Sequence, residues 1–152
     1  MNQIAALLPA SNIVVGLDVA SKAAFFGAIG AIFERSAGLP RSGVAASLAA
    51  REKLGSTGLG QGIAIPHGRI AGLREAMGAF ARLQAPIAFD APDGKPVDTI
   101  FVLLVPEHAT DRHLQLLSEL AQMFSERAFR ERLVHAPDPG ALAQAFREWQ
   151  PA

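Results

Sequence analysis

Apolar residues recur at strand-like spacing in the middle of the chain and at helix-like spacing on either side, and this order predicts the architecture. Thr99 to Val105 holds a nearly continuous apolar run, Ile100-Phe101-Val102-Leu103-Leu104-Val105, suited to a central strand covered on both faces. Ala76 to Leu83 is a second strand candidate, and Ile13-Val14-Val15 a short one behind an apolar turn at Leu7-Leu8-Pro9. Pro86-Ile87-Ala88-Phe89-Asp90 followed by Pro92-Asp93-Gly94 predicts a further short strand and a turn. Ser21 precedes an Ala- and Phe-rich run from Ala23 to Phe33 that stops at Gly38, which reads as a capped helix weakened by Gly27 and Gly30. Ser42 is a candidate cap for a second helix with Val44, Leu48 and Leu54 apolar, ending at Gly55. Thr110 or Asp111 opens a long helix with Leu114, Leu117, Leu120, Ala121 and Phe124 on one face. Shorter helices are expected over about Glu126 to Val134 and Asp138 to Trp149, the latter opening with a cap followed by proline in its first turn. Helices first, strands in the middle and helices last imply a sheet covered by helices, of mixed α/β type. Strand order stays open at this level.

Length and composition narrow the function classes. A chain of 152 residues is about one domain long, so a separate cofactor module is not expected. Lys+Arg 14 against Asp+Glu 14 gives zero formal charge, which argues against a nucleic-acid binder relying on a positive field. Half the residues are apolar and 18% are charged, enough for a sizeable core. Cysteine is absent, which removes disulfides, thiolate nucleophiles and Cys-rich metal sites. Met1 to Leu17 has no basic region ahead of an apolar core, and no apolar run reaches the roughly 20 residues that span a bilayer. The expectation is a cytoplasmic protein with a protein or small-molecule partner and no membrane insertion.

Reactive chemistry therefore falls to histidine, serine and the acids. His67 follows the strand-like Ile63-Ala64-Ile65 and Pro66, with Gly68 and Arg69 after it, in a segment that also carries Gly55, Gly58, Gly60 and Gly62. Glycines at that density indicate tight turns and close backbone approach, and a histidine beside them and a fixed positive charge is placed to meet an anion. A neutral imidazole is a good nucleophile, and its ordinary pKa near 6.5 leaves it mostly neutral at pH 7. The residues alone equally allow a loop histidine with a structural hydrogen bond. His113 falls in the first turn of the long helix, where free N–H groups favour an anion; a solvated helix residue is its alternative. His108 and His135 have no such setting and read as surface or packing residues. The acids Asp90, Asp93, Asp98, Glu107 and Asp111 are scattered without metal-ligand spacing, so neither metal nor cofactor is expected. The string Gly55 to Gly62 lacks the Gly-Lys-Ser/Thr ending of a P-loop and precedes a strand where that motif needs a helix.

The stretch Arg51-Glu52-Lys53-Leu54-Gly55-Ser56-Thr57-Gly58-Leu59-Gly60-Gln61-Gly62-Ile63-Ala64-Ile65-Pro66-His67-Gly68-Arg69 closely resembles the active-site signature of the fructose/mannitol-type EIIA proteins (EIIA type 2) of the bacterial phosphoenolpyruvate-dependent phosphotransferase system. A second block, Pro86 to Asp93, Pro96-Val97-Asp98, Leu104-Val105-Pro106, His113-Leu114 and Leu117-Ser118, resembles its nitrogen-regulatory branch in particular. With the Ser21-Lys22 helix start, the resemblance covers nearly the whole chain. It implies one α/β domain with a mixed central sheet flanked by helices. It also implies a phosphocarrier, rather than a multiple-turnover enzyme, whose His67 accepts a phosphoryl group at Nε2 from an HPr-like (NPr) phosphohistidine protein. In the sugar branch the group passes to an EIIB domain; in the nitrogen-regulatory branch the phosphorylation state is itself the output, read by targets such as a potassium transporter or a sensor kinase. His113 matches the family's second active-site histidine, orienting His67 or stabilising the phosphoryl group, and Arg51 matches an arginine near that group, supplying countercharge. Ser56, Thr57 and the backbone N–H of Gly68 are weaker candidates for phosphoryl contacts, since serine and threonine among glycines commonly close local turns. Gln61 stands where nitrogen-regulatory members often carry Asn, and Gln115 where some relatives have another His. A stand-alone sugar EIIA is the alternative, and a module that regulates by contact alone is the alternative of another class.

Overall fold

A computed structural model describes residues 2–108 and 110–151. Its helices are α1 (Gln3–Ala6), α2 (Lys22–Ala37), α3 (Arg41–Lys53), α4 (Asp111–Ser125), α5 (Arg127–His135) and α6 (Pro139–Glu148). Its strands are β1 (Ile13–Leu17), β2 (Gly58–Gly60), β3 (Ile63–Ala64), β4 (His67–Ile70), β5 (Met77–Ile87) and β6 (Val97–Pro106). They form one mixed sheet in the order β1-β5-β6-β3-β2, with β4 also pairing to β6. β1 runs parallel to β5, β5 antiparallel to β6, β3 and β4 parallel to β6, and β2 antiparallel to β3.

The apolar run at the centre becomes β6, and period-two alternation divides its side chains between two cores. Phe101, Leu103 and Val105 join a cluster roofed by Leu116, Leu120, Phe124, Phe129 and Phe146 of α4, α5 and α6. Ile100, Val102 and Leu104 join the opposite cluster, roofed by Phe25, Ile29 and Phe33 of α2 and Val44 and Leu48 of α3. All five residues from Ile100 to Leu104 are fully buried, as expected of a strand covered on both faces.

Local signals set several helix ends. Ser21 Oγ accepts from the Ala24 N–H at 3.1 Å, and Gly38 closes α2 at φ +70°. Asp138 accepts from the Ala141 N–H at 2.8 Å, with Pro139 opening α6. Gly30, which lowers helix propensity, is required where α2 crosses α3: a Cβ there would lie 2.7 Å from the Arg41 carbonyl oxygen.

Several expectations are corrected. Ser42 caps nothing, because α3 begins at Arg41 with Pro40 before it and no side-chain cap. Proline sets an extended φ and ends the preceding turn without any side-chain acceptor. The separate short strand expected at Pro86 is the end of β5, which continues through a register shift between Arg82 and Ile87. Leu54 is not on the apolar face of α3 but lies past its end, 84% exposed. α1, β2 and β4 carry too few residues to show a period, and none was legible in the pattern.

Candidate functional site

A cleft of about 470 Å³ opens between the end of α3, the edge strand β4 and the start of α4. The sequence between Gly62 and Arg69 explains why a histidine points into it. β3 and β4 pair with the same strand in successive stretches, Ile63 to Ala64 against Thr99 to Ile100, then His67 to Ile70 against Leu103 to Pro106. Ile65 and Pro66 fall in the gap, where a proline with no N–H interrupts the ladder. The Ile65 carbonyl then accepts a hydrogen bond from Nδ1 of His67 at 3.0 Å. A carbonyl only accepts, so Nδ1 carries the ring proton and Nε2 keeps its lone pair. Burial is the main influence on the half-buried ring and holds its pKa below the ordinary 6.5; the Ile65 contact and Glu52 oppose that shift, while the Arg51 charge adds to it.

His113 is the mirror case. It is the third residue of α4, and its Nδ1 accepts from the Thr110 backbone N–H at 2.9 Å, a reciprocal cap at the helix start. Its free proton therefore sits on Nε2, and His113 lines the same cleft as His67. One ring presents a lone pair and the other an N–H donor, each tautomer set by a backbone group. Arg51, in the last turn of α3, donates from Nη1 to the Gly55 carbonyl at 2.9 Å and lines the cleft beside His67. Thr110 and Asp111 bring the N-terminal end of α4 to the same space, where the Asp111 carboxylate offsets the positive end of the helix dipole. Such a site offers a nucleophilic nitrogen, a neutral N–H donor, a guanidinium and a helix N-terminus to one small anion.

The remaining candidates divide. Gly68 lines the cleft within β4, and a Cβ there would collide with Ser47 Oγ of α3, so glycine is needed for the helix to approach the strand. Arg69 is exposed on the cleft wall, with its carbonyl held by Ser47 Oγ at 2.8 Å. Ser56 and Thr57 are not brought to the cleft. Ser56 Oγ donates to the Phe89 carbonyl at 2.7 Å and accepts from the Gly58 N–H at 3.1 Å. Thr57 gives both its N–H and its hydroxyl to the Glu52 carboxylate, each at 2.9 Å to the nearer oxygen. Both hydroxyls close the loop after α3, which fits their turn chemistry rather than an anion contact. His108 and His135 are exposed and outside the cleft, and His135 Nδ1 is bonded to the Glu131 carbonyl at 2.8 Å.

Sequence reasoning overlooked Glu52, which is 8% exposed and ion-paired to Lys22 at 3.4 Å. Lys22 also reaches Asp90 at 3.2 Å and lies over the Phe89 ring. Its signal was present: Val44, Leu48 and Glu52 are spaced four apart, which puts a carboxylate on the buried stripe of α3. Leu54 and Leu114, 84% and 63% exposed, flank the cleft as apolar rims.

Residues 6–149 match the family described as phosphoenolpyruvate-dependent sugar phosphotransferase system, EIIA 2. The chain belongs to this family. A nitrogen regulatory protein of Pseudomonas aeruginosa is 55% identical over 98 residues, and the match covers 64% of this chain and 64% of that relative's length. A nitrogen regulatory protein homolog of Haemophilus influenzae is 36% identical over 149 residues, covering 95% of this EIIA chain and 90% of the relative. The crystal structure of nitrogen regulatory protein IIA-Ntr from Neisseria meningitidis superposes with a TM-score of 0.89 at 50% identity, covering 95% of this chain and 99% of that one. Among the described residues, no helix of this EIIA chain is long and apolar enough to cross a membrane.

Proposed function

We propose that this chain is a regulatory phosphohistidine carrier: Nε2 of His67 accepts a phosphoryl group from the phosphohistidine of an HPr-like donor, and protein partners read the resulting state. The observation that carries this reading is the Nδ1 contact of His67 to the Ile65 carbonyl, which leaves Nε2 as the unprotonated nitrogen beside Arg51 and the start of α4. In the transfer, the donor's N–P bond breaks with its electron pair returning to the donor ring as the bond from Nε2 to phosphorus forms. The Nδ1 proton stays in place. Such transfer needs little covalent help from the protein, so positioning and charge stabilisation of the equatorial oxygens carry it. His113 Nε2–H and the Arg51 guanidinium supply that stabilisation, and Leu54 and Leu114 give the donor an apolar footing around the site.

Similarity to nitrogen regulatory proteins over most of the chain favours a signalling output over sugar transport. On this reading the protein is cytoplasmic, and its targets, in the manner of a potassium transporter or a sensor kinase, respond to the charge state of the cleft. Incubation with phosphoenolpyruvate, enzyme I and an HPr-type donor tests the carrier step, with intact mass read at neutral or alkaline pH because phosphohistidine is acid-labile. A phosphate-sized gain that disappears in His67→Ala is expected. Absence of the gain, or its survival in that variant, sinks the reading. Rapid discharge to an added sugar EIIB would move the output to the sugar branch.

A further inference from the structure

We propose that Glu52 is a positioning residue for His67, holding the imidazole in one tautomer and one orientation through Thr57 and Ile65. The inference rests on the carrier reading above for its consequence, but its geometry stands independently. Glu52 Oε1 accepts from the Thr57 N–H at 2.9 Å, and Oε2 from the Thr57 hydroxyl at 2.9 Å. Thr57, so fixed, offers its carbonyl to the Ile65 N–H at 3.0 Å. Ile65 in turn offers its carbonyl to His67 Nδ1 at 3.0 Å. Each link joins the next, from a buried carboxylate on α3 to the reactive ring on β4.

Two features argue that this is more than loop closure. A carboxylate on a buried helical stripe is costly to desolvate, and an apolar residue would fill the position without that cost. Here the charge is matched by Lys22 and saturated by Thr57. Secondly, the chain of bonds ends at the one carbonyl that decides which ring nitrogen is free. Ile65 lies between β3 and β4, where β6 holds the next residue through the Leu103 N–H to the Pro66 carbonyl at 3.0 Å, while the Ile65 N–H itself is held by the Thr57 carbonyl. The same loop carries Gly55, whose carbonyl holds the Arg51 guanidinium.

The test uses the full chain with ¹⁵N-labelled histidine, comparing wild type with Glu52→Gln and Thr57→Val. Imidazole ¹⁵N shifts above the titration range report the His67 tautomer, and the rate of phosphoryl uptake from a phosphorylated HPr-type donor reports function. Glu52→Gln keeps the shape but removes the charge that Lys22 matches and turns one acceptor into a donor, which the Thr57 hydroxyl meets only by reversing its own bond. It is expected to show a mixture of Nδ1–H and Nε2–H forms at His67 and uptake roughly ten- to hundredfold slower, the scale of a small misplacement of a reacting group. Thr57→Val removes one of the two links and should move both readouts in the same direction by less. A His67 ring that stays wholly Nδ1–H in both variants overturns the proposal, even with slower uptake. Should Glu52→Gln fail to fold, Thr57→Val decides by the same criterion. If the wild-type chain takes up no phosphate, the carrier reading fails instead, and the tautomer measurement decides the role of Glu52 alone.

Discussion

The surroundings of His67 favour its neutral ring, the form that the proposed carrier step requires. Burial disfavours the imidazolium, and the Arg51 charge adds to that, against opposing contributions from the Ile65 carbonyl and Glu52. Its titration midpoint, followed by the ring proton shifts in NMR, is therefore expected below 6.5. The folded chain binds this proton less tightly than the unfolded chain, so the neutral ring's contribution to stability is present above 6.5 and is lost as pH falls through the folded-state value. Denaturant unfolding across that range should show stability falling with pH in the wild type and a shallower fall in His67→Gln. A second residue stands in a conformation its side chain disfavours. Gln61 has φ +59°, between Gly60 at +87° and Gly62 at +77°, and its N–H is held by Asp93 Oδ2 at 3.1 Å. Asn visits the left-handed region more readily, so Gln61→Asn is expected to stabilise the fold by roughly 0.5 kcal/mol in chemical denaturation.

Elements meet where side chains are absent. On α2, Gly27 and Gly30 look alike in sequence, yet a Cβ at Gly27 would meet nothing within 4 Å while one at Gly30 meets the Arg41 carbonyl. Gly27→Ala should therefore stabilise by about 0.5–1 kcal/mol, the ordinary gain of alanine over glycine in a helix. Gly30→Ala should destabilise by about 1–3 kcal/mol, because α3 must shift to admit the methyl group. Thermal or denaturant unfolding of the pair checks the opposite signs. Gly68 has the same role between β4 and α3, with Ser47 as the obstacle. There the displaced helix carries Arg51, so Gly68→Ala is expected to slow phosphoryl uptake as well as destabilise. Strong local signals made α2, α4, α6 and β6 legible in advance, since caps, proline and long apolar runs act within a few residues. β4 was not legible, because four residues containing His, Gly and Arg acquire strand geometry only by pairing with β6.

The whole molecule is a sheet buried on both faces, with Phe146 of α6 packed edge-on against Phe80 and Phe129 at ring separations of 5.2 and 5.3 Å. That rigid frame holds a cleft at one sheet edge on a chain of zero formal charge. A phosphoryl group there would add about −1.5 to −2 charge at pH 7 if it behaves like other protein phosphates, a large local change against a neutral background. A regulatory partner is expected to bind the two states with different affinity, and salt should reduce the difference. Equal binding of both states at low salt, measured by calorimetry, would show that the partner ignores the cleft.

By itself the sequence determined the periodic elements, the α/β class and the motif that contains His67, because those depend on neighbours along the chain. It also held the unread sign of Glu52 on the stripe of Val44 and Leu48. Tertiary structure alone decided that His67 and His113 face one cleft. It also turned Ser56 and Thr57 inward to hold the loop. Those outcomes depend on elements packed or paired across the fold, which the order of residues does not show until the sheet and helices have come together, whereas the ring bonds of His113 to Thr110 and of His67 to Ile65 are local to the chain.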